Sequence, residues 1–175
     1  MVTVIVIAIR TVLAVVFTVA FVSKVMSRRR FREFSASLGG IGWLHDRVLA
    51  AAAALIPVLE AATVALLVAP VGAVWGCAAS GMLVAAFTAV AERELTRGNQ
   101  VLCRCFGAGA TQIGPAQIAR NLLLLACSVT GIMLAFAHKG SPSPAAMVLA
   151  IGLAMLAAVA LVRWDDLAEL VRPQR

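Results

Sequence analysis

Five apolar runs, each close to bilayer-spanning length, occupy most of this chain and decide what it can fold into. They are Val2 to Val22, Val48 to Val68, Val71 to Val90, Ile118 to Ala137 and Ala145 to Val162. A spanning helix needs roughly 20 predominantly apolar residues, and it keeps its backbone hydrogen bonds within itself, as lipid demands. The pattern predicts an all-α polytopic membrane protein with five transmembrane helices. Composition excludes an ordinary soluble globule: 62% of the 175 residues are hydrophobic and 13% charged, against about half and about a quarter in soluble domains.

The chain reads as a single membrane domain over residues 1–175, with helices at about 2–22, 48–68, 71–90, 118–137 and 145–162. A long loop covers 91–117 and a polar tail covers 163–175. Ser141-Pro-Ser-Pro144 is a turn that cannot continue the fourth helix. The first run is a retained helix and not a signal peptide. No basic segment precedes it, Arg10 sits in its middle, and no small-residue cleavage site follows.

The net charge of +7 raises nucleic acid as a partner, but the basic residues lie between apolar runs, not on a globular face with stacking aromatics. They serve orientation better. The segment from Ser23 to Arg47 holds six Lys/Arg, that from Ala91 to Arg120 four, and the tail three, whereas the opposite side holds only Lys139. The positive-inside bias then puts the N-terminus outside, and the C-terminus and the 91–117 loop in the cytoplasm. Thirteen of the fifteen basic residues are Arg, which fits a GC-rich bacterial genome and so a bacterial cytoplasmic membrane. Arg28, Arg29, Arg30 and Arg32, with Phe31 and Phe34, form a basic, partly apolar stretch suited to anionic headgroups. It is read as a topology anchor. Trp43, Trp75 and Trp164 fall near helix ends, as an aromatic belt would place them.

The long loop carries the reactive chemistry in Cys103-Arg-Cys-Phe-Gly107. A one-residue spacing closes a disulfide only where the backbone turns, since bridged Cα atoms lie about 4.4–6.8 Å apart. Such a small ring is strained, and strain makes a disulfide exchange readily. Arg104 between the cysteines, with Arg97 nearby, favours the thiolate, which is the nucleophile. The chemistry implied is thiol–disulfide exchange at Cys103 and Cys105. Two incidental cysteines are the plain alternative. Zinc is a poor fit, because a structural site takes four ligands and the loop offers two cysteines and no histidine. No metal site is expected.

Cys103-Arg-Cys-Phe-Gly107, the Arg120-Asn121 opening of the fourth helix, Arg10 and Lys24 bracketing the first, and Pro57 with Glu60 in the second resemble the MauE family. That family belongs to a wider DoxX-like group of redox-associated membrane proteins. The resemblance covers about the first 137 residues and implies a DoxX-like four-helix bundle, to which this chain adds a fifth, C-terminal transmembrane helix. It also implies a membrane partner of thioredoxin-like proteins, associated in the methylamine-utilisation case with disulfide formation in a periplasmic client. A periplasmic client wants its cysteines outside, whereas the basic residues place the loop inside. Either the loop folds into the membrane, or electrons pass across it, or the role differs here.

Arg10 lies eight residues from the start of the first helix and Glu60 eight from the end of the second, so both sit about 12 Å deep from the same face. An ion pair between them is expected, since an intramembrane charge usually finds a partner. Pro57, one turn before Glu60, is expected to kink its helix. Cys77 and Cys127, in the third and fourth helices, define a conceivable relay toward the loop, although small apolar packing is the ordinary role of such cysteines. Gly72, Gly76, Gly81, Gly131 and Gly152 are expected at close helix contacts. The leading reading is a membrane thiol–disulfide redox protein serving a thioredoxin-like partner and a client with thiols, with a quinone as electron acceptor by analogy. The alternatives are a non-enzymatic scaffold for a redox partner, or a small-molecule or lipid carrier using the Arg10–Glu60 region.

Overall fold

The computed structural model describes residues 1–40, 45–70, 72–98, 102–103, 111–112, 114–137 and 143–164. Its helices are α1 (Val2–Val25), α2 (Arg28–Gly39), α3 (Asp46–Val68), α4 (Ala73–Thr96), α5 (Pro115–Phe136) and α6 (Pro144–Val162). Two short strands, β1 (Leu102–Cys103) and β2 (Thr111–Gln112), lie between α4 and α5. The five longer helices are each long and apolar enough to cross a membrane, and each falls on an expected run. The protein is an all-α, multi-pass membrane protein.

Helix ends differ from the expected ones in a consistent way. The first helix continues one turn beyond Val22 and takes in Lys24, the third continues from Val90 to Thr96, and the fourth starts at Pro115. Hydropathy locates the lipid-buried stretch, but a helix keeps propagating while each added residue gains a backbone bond. Pro115 stands at the first position of its helix, where a missing N–H costs nothing. The expected 91–117 loop therefore shrinks to the residues between Thr96 and Pro115. Beyond Val162, Arg163 and Trp164 are described, and the rest of the tail, with Trp43, lies outside the described residues.

The basic stretch after α1 is a helix, which the sequence reading did not anticipate. Ser27 caps it by accepting a hydrogen bond from the Arg30 N–H at 3.2 Å, satisfying one of the otherwise unpaired first-turn donors. Phe34 turns inward and is buried. α2 packs against α1, α3 and β1.

α1, α3, α4 and α5 form the bundle, with α4 and α5 an extensively packed hairpin and α1 touching all three others. Ser80 and Ser128 are hydrogen-bonded across that hairpin at 3.0 Å. At Gly131 a Cβ atom would lie 2.7 Å from the Cys77 sulfur, and at Gly76 one would lie 2.8 Å from the Leu67 backbone nitrogen. These two glycines let α4 approach α5 and α3. Gly152 does not share that role: nothing lies within 4 Å of its missing Cβ, because it sits on the outward side of α6. α6 rests on α1 and buries Ala150, Ala154 and Ala158, residues four apart that share one face. Pro57 lies within α3, which continues as one helix on both sides of it.

Alternation of direction gathers the C-termini of α1 and α4 and the N-termini of α3 and α5 at one end, together with α2 and the strands. This is called the loop end below, and the opposite end the far end.

Candidate functional site

The cysteine loop is entered through a turn that requires glycine. After α4 the Arg97 N–H bonds the Arg93 carbonyl at 3.2 Å, and Gly98 adopts a φ of 68° with its N–H on the Leu95 carbonyl at 3.1 Å. That left-handed conformation is cheap only for glycine, and it reverses the chain at the helix end. Leu102 then pairs with Gln112, and Cys103 with Thr111, in an antiparallel ladder. The ladder brings together the two ends of the segment carrying Arg104 and Cys105, which themselves lie outside the described residues. β1 lies against α2, so the backbone of Cys103 is held at the loop end of the bundle.

Below it, the bundle interior is charged. Lys24 Nζ donates to Glu60 Oε1 at 2.7 Å and to the Ala20 carbonyl at 3.1 Å. The two side chains are 1% and 0% exposed. Lys24 Nζ also stands 5.3 Å from the centre of the Phe34 ring, a distance suited to a cation–π contact. Three elements thus meet at one ammonium group: α1 supplies it, α3 its counter-ion, and α2 an aromatic lid.

Arg10 and Glu60 do not pair, which corrects the depth-matching argument. Arg10 Nε donates to the Leu67 carbonyl at 2.8 Å, and Nη2 to the Ala69 carbonyl at 2.5 Å. The physical reason is side-chain direction. Cα–Cβ bonds tilt toward a helix's own N-terminus, so in antiparallel α1 and α3 the side chains of Arg10 and Glu60 diverge from equal depth. Lys24, tilted back into the bundle, converges on Glu60. Arg10 instead donates to two carbonyls at the C-terminal end of α3, whose last turn has no basic residue of its own. The carrier reading drew on the Arg10–Glu60 pair and loses that geometry.

Further buried polar groups crowd the same half. Glu94, Gln117, Arg120 and Asn121 are between 0% and 4% exposed, on the loop-end portions of α4 and α5. Both amide atoms of Asn121, Oε1 of Gln117 and Oε2 of Glu60 are buried without a hydrogen-bond partner among the described residues. Each such group costs about 1–3 kcal/mol if left unmade, so the polar half of the bundle is built at a stability cost. Lys24, Glu94 and Gln117 escaped the sequence reading as site residues. The usable signal was a charged or amide residue within one turn of a hydrophobic run's edge, where helix propagation buries it.

The remaining cysteines stand apart. Cys77 is fully buried in the far half of α4 and Cys127 is half-buried in α5, and both are free. Cys77 lies nineteen residues before Thr96, about 28 Å along the helix from the loop end. The structure does not bring Cys77 or Cys127 to the Cys103 strand.

Fold and site together define a multi-pass helical membrane protein with a two-cysteine hairpin set over a buried charged cluster. The chain belongs to the MauE family: the family model described as methylamine utilisation protein MauE matches residues 2–136, from α1 to the end of α5. No curated protein and no solved structure matches the chain. α6 lies beyond the matched region.

Proposed function

We propose that this protein is a membrane thiol–disulfide redox partner, acting within the methylamine-utilisation role that gives its family its name. The observation that supports this reading is the β1–β2 ladder, which draws together the two ends of the segment carrying Arg104 and Cys105 and holds the Cys103 backbone at the loop end of the bundle.

The exchange balances between two proteins. A thiolate of the Cys103–Cys105 pair attacks the disulfide of a thioredoxin-like partner, forming a mixed disulfide and releasing one partner thiolate. The second cysteine of the pair, as thiolate, then attacks its mixed-disulfide neighbour. This closes the Cys103–Cys105 disulfide and releases the partner as a dithiol. Oxidation of a client dithiol by that disulfide returns the pair to its reduced form. Arg104 favours the thiolates. Quinone was raised by analogy as an acceptor. The unpartnered Asn121 amide nitrogen is a donor that a ring carbonyl would accept from, but no step above runs through such a group.

The basic-residue bias places the loop end in the cytoplasm and the N-terminus outside, in a bacterial cytoplasmic membrane. In a Cys77→Ala/Cys127→Ala background only the loop cysteines remain, and a membrane-impermeant maleimide should label them in inverted vesicles and not in intact cells. Labelling from outside would reverse the orientation.

The redox role is tested with a thioredoxin keeping one active-site cysteine, activated as a mixed disulfide with thionitrobenzoate, and with the single variants Cys103→Ser and Cys105→Ser, so that neither protein can resolve the adduct. At least one single variant should be trapped on non-reducing gels, and Cys103→Ser/Cys105→Ser should lose at least about 90% of that adduct, since Cys77 is buried and Cys127 lies half-buried within a spanning helix. Equal trapping in the double variant would sink the redox assignment in favour of a scaffold.

A further inference from the structure

At the elbow where α1 ends and α2 begins, Val25, Ser27, Arg28, Phe31 and Arg32 line an open cleft of about 700 Å³. Arg28, Phe31 and Arg32 share one face of α2 by their three- and four-residue spacing. Phe34, turned away from Arg28 and Arg32 on the same helix, is buried over Lys24. The face lining the cleft is therefore not the face that packs the helix onto the bundle. Arg28 and Arg32 are exposed and make no ion pair among the described residues, whereas Arg29 is paired with Glu33 at 3.0 Å, outside the cleft.

Position adds the second half of the argument. Val25 is the last residue of a spanning helix and is 43% exposed, with Met26 beside it 68% exposed. The cleft thus sits where hydrocarbon gives way to headgroups. Two guanidinium groups offer the forked donors that match phosphate oxygens, while Val25 and Phe31 offer an apolar wall beside them.

We propose that the α1–α2 elbow is a binding site for an anionic phospholipid. The phosphate lies between Arg28 and Arg32, and the upper acyl chain runs along Val25 and Phe31. A zwitterionic lipid carries its own cation next to the phosphate and fits this all-basic rim less well. Because α2 also touches β1 and covers Lys24, the lipid borders the element that links the cysteine hairpin to the buried pair.

The protein, reconstituted in vesicles of equal phosphatidylglycerol and phosphatidylcholine, is extracted in mild detergent, and its retained lipid is counted by native mass spectrometry. Wild type should retain phosphatidylglycerol preferentially, and Arg28→Gln/Arg32→Gln should lower that preference roughly tenfold. Arg29→Gln/Arg30→Gln removes the same charge outside the cleft and should stay within about twofold of wild type. Circular dichroism establishes that both variants keep their helices. Equal retention of the two lipids by wild type, or equal losses in the two double variants, would overturn the site. So would complete displacement of the lipid by inorganic phosphate, which would make it a soluble-anion site instead.

Discussion

Toward the far end and the middle of the bundle, Leu13, Leu67, Cys77 and Val84 fill the space among the helices, whereas toward the loop end the buried side chains include Lys24, Glu94, Gln117, Arg120 and Asn121, with Glu60 reaching Lys24 from farther along α3. The contrast matters because lipid is as apolar as leucine, so burying leucine between helices gains little beyond close packing. The far half accordingly relies on fit, with Gly131 and Gly76 setting helix approach. The loop half relies on polar partners that cannot be satisfied by lipid, and its Lys24–Glu60 bond ties α1 to α3 at one register. The far half adds a few hydrogen bonds to close packing, those of Ser80 with Ser128 and of Arg10 with the end of α3, whereas the other half holds the buried ion pair, and the Cys103 strand is mounted on that half.

The largest effect should come from breaking the polar half at its centre. Glu60→Gln leaves Lys24 buried beside a neutral amide and should cost about 3–5 kcal/mol, read as a lowered midpoint in detergent unfolding. Lys24→Met/Glu60→Leu should recover most of the loss, because an apolar pair of similar volume removes both charges together. If the double variant is as unstable as the single one, the pair is not what joins the two helices.

An intermediate effect belongs to the apolar half. Gly131→Ala places a methyl group against the Cys77 sulfur and should cost about 1–3 kcal/mol by overpacking. Combining it with Cys77→Ala should return much of that stability, and lack of recovery would mean the α4–α5 contact is not limited at this point. A smaller effect of opposite sign is expected at Asn121. Asn121→Leu removes two unsatisfied buried polar atoms and should stabilise the protein by about 1 kcal/mol in the same assay. Destabilisation there would reveal a polar partner for the amide. The smallest effect is at the surface: Arg29→Gln loses an exposed i,i+4 pair worth about 0.3–0.5 kcal/mol, a change within the error of most melts.

How much of this was legible beforehand differs by element. The five spans were readable because some twenty consecutive apolar residues can do little else in water or lipid. α2 was not, because Arg-Arg-Arg-Phe-Arg reads as charge, and its helicity depends on the Ser27 cap and on a cavity for Phe34 that exists only once α1 and α3 are assembled. Glu60 was rightly singled out as an intramembrane charge needing a partner. Depth along the helices matches Glu60 with Arg10 only at the level of Cα positions, while side-chain tilt carries the two apart and brings Lys24 to Glu60. Cys103 and Cys105 are prominent in the sequence, and the ladder from Cys103 to Thr111 adds the place of the Cys103 backbone at the loop end, while Cys105 lies outside the described residues.

The sequence by itself determined that the chain is a helical membrane protein, where its spans lie, and that it carries two closely spaced cysteines in a connecting loop, since each follows from the length and polarity of local segments. Tertiary structure alone decided which charge meets which, that α2 lies over Lys24, and that polar groups gather beneath the hairpin. Those outcomes depend on the antiparallel register of helices far apart in the chain and on the direction each side chain leans, and neither is encoded in any single segment.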